Sequence, residues 1–126
     1  MARRKAEILL ENHRTTQYPN LPSRAEAIFL CRVRADLEHW VSVNRPFVYR
    51  LEATTIVSMS THYIVWYNYL VRTFKEPSRE IFSNNIIEER AQCANAYWGS
   101  VSPAKFNGEL KQETLFIGSL TVVGTD

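Results

Sequence analysis

The sequence predicts an α+β domain in which an antiparallel sheet carries helices packed on one face. Three observations lead there. Two stretches show helical apolar spacing with helix-end residues, the central stretch 47–74 alternates and is dense in β-branched and aromatic residues, and the tail carries two turn dipeptides. The expected element order is α-α-β-β-α-β-β-β. With 126 residues, 45% hydrophobic and 22% charged, the chain fits one globular domain, 1–126, whose first 22 residues form a basic N-terminal helix and loop.

The first helix runs from Ala2 to about His13. Gln17 to Pro22 is a loop, since each Pro drives the residue before it out of the helical region. Ser23 and Glu26 have the S-x-x-E spacing of a capping box and predict a helix from Arg24 to about Val43. On its wheel Phe29, Leu30, Val33, Leu37, Trp40 and Val41 share one broad face, while Ile28, Cys31 and Ala35 form a small apolar patch on the other side.

Over 47–74 the alternation of Phe47, Tyr49, Leu51 and Ala53 with polar neighbours predicts a hairpin. Ser58 to Thr61 is its turn, and the aromatic run from His62 to Phe74 is its second strand. A buried helix across part of 55–74 is the alternative reading. Arg79 to Trp98 is the next helix, with an apolar arc of Phe82, Ile86, Ile87, Ala91, Cys93, Ala94, Tyr97 and Trp98, and Gly99 as its cap. Asn107-Gly108 and Gly118-Ser119 are the expected tight turns of the tail.

Four glycines, at 99, 108, 118 and 124, cannot form a G-x-G-x-x-G or Walker loop, so glycine-loop nucleotide folds are excluded. No apolar run approaches the ~20 residues of a membrane span, and Glu7 and Glu11 interrupt any signal-like start. Cys31 and Cys93 have neither zinc nor redox spacing and read as free thiols of a reducing, cytoplasmic setting. No cofactor and no metal is implied. His13, His39 and His62 have no partner at metal-ligand spacing. His39 follows Asp36 by three residues as a solvated polar pair, and His62 could serve as an acid–base group in a pocket with Tyr63 or Tyr67. Glu88 and Glu89 point apart on their helix and read as a solvated face.

Charge is uneven: residues 1–50 hold nine Lys/Arg against five Asp/Glu, residues 51–126 six against eight. Arg3, Arg4, Lys5 and Arg14 are therefore the candidate nucleic-acid contacts. Three Trp, six Tyr and six Phe exceed what so small an interior encloses easily. The leading expectation is a non-enzymatic interaction or assembly protein, homo-oligomeric or a subunit of a larger complex. Its partner is itself or another protein, with no membrane involved, and the contact is Ile28, Cys31, Ala35, Trp66, Tyr67 and Tyr69. The alternatives are a nucleic-acid-binding protein using the basic N-terminal half, and a small enzyme or ligand-binder with a pocket between helices and a curved sheet.

Overall fold

The computed structural model describes residues 1–33, 35–36, 48–76, 81–103 and 110–125. Helix α1 (Ala2–Gln17) is followed by strands β1 (Ile28–Leu30) and β2 (Tyr49–Tyr63), helices α2 (Ile64–Lys75) and α3 (Ile86–Trp98), and strand β3 (Gln112–Thr125). The strands form one antiparallel sheet in the order β1-β3-β2, so the α+β class with helices against an antiparallel sheet holds.

Three elements differ from the sequence reading. No helix starts at Arg24: Ser23 Oγ accepts from the Ala25 N–H, and the Ser23 carbonyl accepts from Glu26 and Ala27, which closes a turn. Ile28, Phe29 and Leu30 then pair with Phe116, Leu115 and Thr114. A pairing made 86 residues downstream overrides a local cap signal. Val33, expected in the core, is exposed. Leu37, Trp40, Val41 and His39 lie outside the described residues, as do Phe47 and the Asn107-Gly108 turn.

The aromatic run is the second difference. From Ile64 it is helix α2, the alternative of the two readings, and Ser58 to Thr61 is continuous strand. Eight of its twelve residues are buried, as expected of a helix that is apolar nearly all round. Asn68, Arg72 and Lys75 make its single wet stripe. Strand passes into helix at Tyr63 with neither Gly nor Pro, where the Ile64 N–H donates to the Lys111 carbonyl at 3.0 Å.

The third difference is Gly118-Ser119, which lies inside unbroken β3 and not at a turn. Gly118 has φ +153°, and a Cβ there would fall 2.1 Å from the Thr55 carbonyl oxygen. Only glycine admits this approach of the two backbones. The register between β2 and β3 shifts at Arg50/Leu51, where β3 has the extra residue, and at Ala53/Thr55 and Ile56/Ser58, where β2 has it.

The core lies where the three helices meet the middle of the sheet, around Leu10, Trp66, Leu70, Cys93, Tyr97, Trp98 and Leu115. Both indoles among the described residues find a partner: Trp66 Nε1 donates to the Val101 carbonyl and Trp98 Nε1 to that of Leu10. Helix α3 is shorter than expected, with Asn85 as its N-cap accepting from Ile87 and Glu88. Ile87 and Ala91 of the expected apolar arc are exposed, and Glu89 is inside. At its other end Gly99 is the cap residue and Ser100, at φ 53°, takes the left-handed position. Val101 and Ser100 donate back to Ala96 and Tyr97, the Schellman pattern.

Candidate functional site

Two regions stand out. The first is a polar centre built on Arg24. The turn after α1 carries Arg24 under the helices, where its side chain is 7% exposed. Its Nε and Nη2 donate to the two oxygens of Glu7 on α1, at 2.8 and 3.2 Å. Its Nη1 donates to the Tyr97 hydroxyl at 2.6 Å and to Glu113 of β3. Tyr97 in turn donates to the same Glu113 oxygen at 2.5 Å. The guanidinium lies 4.2 Å from the centre of the Tyr67 ring and 4.8 Å from that of Phe29, a cation held between aromatic faces. Burial works against the charge of Arg24, and Tyr97, Glu113 and Glu7 outweigh it, keeping the group above its usual range. Burial also raises the Tyr97 phenol, with Glu113 adding to it, so Tyr97 stays protonated.

His62 completes this centre. It is fully buried, stacked on Tyr97 at 4.5 Å and edge-on to Trp98 at 5.1 Å. Its Nδ1 lies 2.7 Å from the Tyr97 carbonyl and its Nε2 2.6 Å from Ser60 Oγ. Burial lowers its pKa to about 4 even though the Tyr97 carbonyl favours the charged form, and the nearby Arg24 adds to the lowering. A cavity of about 220 Å³ adjoins the centre, lined by Glu7, Glu11, Ser23, Arg24, Ala25 and Trp98. Among the described residues no group of three or more His, Cys, Asp or Glu is placed to hold a metal ion.

The second region is a ribbon. β2 and β3 pair along their whole lengths, yet every residue of β2 from Tyr49 to Val57 is exposed. Side chains alternate along a strand, so among the described residues both faces of this half are bare. Ile56, Val57 and Met59 are 57, 71 and 53% exposed, and Val122 and Val123 of β3 are 57 and 49% exposed. Exposed apolar side chains scattered singly are ordinary, but a contiguous set is not.

The residues anticipated from sequence are dispersed. Arg3, Arg4 and Lys5 are exposed on the first turn of α1. Arg14 lies ~15 Å further along that helix, bound to both oxygens of Glu11 and to the Leu21 carbonyl. These four do not form one basic patch. Trp66, Tyr67 and Tyr69 are 2, 9 and 2% exposed and belong to the chain's own core, because helix α2 turns them inward. Ile28, Cys31 and Ala35 share no helical face: Ile28 is on β1, with the other two beyond its end. Both cysteines are free thiols; Cys93 is buried, with its Sγ 3.0 Å from the Trp66 carbonyl.

Glu89 is a further correction. It is fully buried and accepts from the Tyr69 hydroxyl and from the N–H groups of Ile81, Phe82 and Ser83, at 2.5, 2.6 and 2.8 Å for the three amides. Burial alone would raise its pKa, but these four donors hold it below the usual value. Sequence reasoning passed over Arg24, Glu7, Glu113 and Ser60, since no spacing along the chain links them.

A family model described as "Protein of unknown function (DUF2441)" matches residues 1–125. The chain belongs to this family. Comparison with curated proteins gave no match. The match spans both the polar centre and the ribbon. Among the described residues no helix is long and apolar enough to cross a membrane.

Proposed function

We propose that the protein works by self-association, with the bare ribbon of β2 and β3 as the contact. The observation that carries this reading is the run of nine exposed residues from Tyr49 to Val57, paired to a stretch of β3 in which Ser119 and Thr121 to Val123 are exposed. A two-stranded ribbon alone is marginal in water, and a second ribbon is the simplest surface of matching shape and polarity. Each copy carries one charge of either sign there, Arg50 and Glu52, so two copies about a two-fold axis can set one against the other. A net charge of +2 does little to hold copies apart.

The two bulges on β2, at Ala53/Thr55 and Ile56/Ser58, oppose simple edge-to-edge addition, which favours packing of ribbon faces. A face nine residues long is roughly 30 Å by 10 Å. That is below the ~800 Å² per partner of a standard stable interface, so the expected association is weak and reversible. Sedimentation velocity over a concentration series tests it: wild type should move from monomer to dimer, and Val57→Lys should stay monomeric with its fold unchanged. A wild type that is monomeric at the highest soluble concentration would remove self-association.

A further inference from the structure

We propose that Ser60 is a nucleophile and His62 its general base, giving the chain an acyl-transfer site for small carboxylic esters that is separate from the ribbon. The two residues sit two apart on β2 and point to the same face of the sheet. Ser60 Oγ is 2.6 Å from His62 Nε2, and His62 Nδ1 is 2.7 Å from the Tyr97 carbonyl oxygen. A carbonyl oxygen can only accept, so Nδ1 carries the ring proton and Nε2 is left to accept from the Ser60 hydroxyl. Nucleophile, base and orienting group are thus in line, with a main-chain carbonyl in the third place.

The packing fixes this arrangement. Tyr97 and Trp98 hold the imidazole from two sides, while Ser60 is only half-buried. The ring is neutral at physiological pH and therefore always in the accepting form. A base this weak activates Ser60 only modestly, which suits an ester, whose carbonyl is more electrophilic than that of an amide.

An oxyanion donor stands next to the nucleophile. Ser100 Oγ donates to the Thr61 carbonyl at 2.6 Å, which places that carbonyl on the edge of β2 away from β3. In extended backbone the N–H and C=O of one residue face the same way, so the Thr61 N–H faces that edge too. The amide following a nucleophilic serine is a natural stabiliser of charge developing on the substrate oxygen.

In the step, Ser60 Oγ bonds to the ester carbon as its proton passes to His62 Nε2 and the carbonyl electron pair moves onto oxygen. Collapse breaks the bond to the leaving alcohol, which takes the proton from Nε2. Water, giving its proton to the same nitrogen, then releases the acid and restores Ser60.

The test uses the full chain with p-nitrophenyl acetate and with an alkyl fluorophosphonate, read by nitrophenolate release and by peptide mass. The expected result is a single adduct on Ser60, absent in Ser60→Ala and formed roughly 100-fold more slowly in His62→Asn. Ser102→Ala, exposed beyond α3, should behave as wild type. Because loss of a buried histidine can unfold the chain, Ser60→Cys gives a second reading. Its thiol, beside the same imidazole, should alkylate with iodoacetamide at least roughly tenfold faster than Cys31. No adduct on wild-type Ser60, an adduct surviving in Ser60→Ala, or a Ser60→Cys thiol no faster than Cys31 would each overturn the assignment.

Discussion

The same two strands behave differently along their length. From Ser58 to Tyr63 β2 lies against Gln112 to Ile117 of β3 under the helices, and there His62, Glu113 and Leu115 are 0, 1 and 0% exposed. From Tyr49 to Val57, against Gly118 to Thr125, the strands carry apolar side chains with nothing over them among the described residues. Both halves are paired, the outer one with three register shifts that the inner one lacks. What differs most is side-chain cover. The inner half satisfies its polar groups with partners from α1, α3 and the Arg24 turn, whereas the outer half presents the surface on which a partner would act.

Removing Arg24 should break the inner half most severely. Arg24→Ala leaves Glu113 buried without its cation and should cost about 3–5 kcal/mol in chemical denaturation. Glu7→Gln, at a side chain 41% exposed, should cost about 1 kcal/mol or less. Equal losses from the two would show that the centre does not depend on the buried pair.

Acid should act on the inner half next. Unfolded chain protonates His62 near pH 6.5 and folded chain only near 4, so between these values the unfolded state binds more protons. Stability should be whole above about pH 6.5 and fall by about 3 kcal/mol on the way to pH 4. Replacement of His62 by Asn should flatten that interval. Glu89 acts lower: its depressed pKa means its contribution survives until the pH falls below the ordinary carboxylate range. Glu89→Ala strips the acceptor from three backbone amides and Tyr69 and should cost about 2–3 kcal/mol. A smaller loss would mean that water replaces the carboxylate.

The ribbon should give the smallest effect on stability. Val57→Lys or Val122→Lys should change the unfolding free energy of the monomer by about 0.5 kcal/mol or less while abolishing concentration-dependent sedimentation. A large loss of monomer stability would mean that the ribbon is packed against its own chain.

Local signals in the sequence carried local elements. The first helix starting at Ala2, the Pro19 and Pro22 loop, and the Gly99 cap all lie where they were expected. Ser23 and Glu26 misled because a capping box needs a helix to cap, and Phe29 instead found its partner in Leu115. The aromatic run misled because β-branched and aromatic residues favour strands only while half-buried. Its own polar residues held the answer: Asn68, Arg72 and Lys75 recur at four and three residues, a helical interval. Within the polar centre only His62 was singled out beforehand. Arg24, Glu7, Tyr97 and Glu113 come from four separate segments, and Ser60 was expected in a turn.

Gly118 separates the two halves at one residue. A side chain there would collide with the Thr55 carbonyl, so the position tolerates no variation without shifting the strands. On its outer side, substitutions meet few neighbours and can accumulate; on its inner side almost every change meets a packed ring or a buried charge. Divergence within the family should therefore be lopsided, with rapid change from Ser119 onward and in the facing part of β2, and near-invariance at Gly118 itself. Relatives with different associations would then differ in the outer ribbon while sharing one interior.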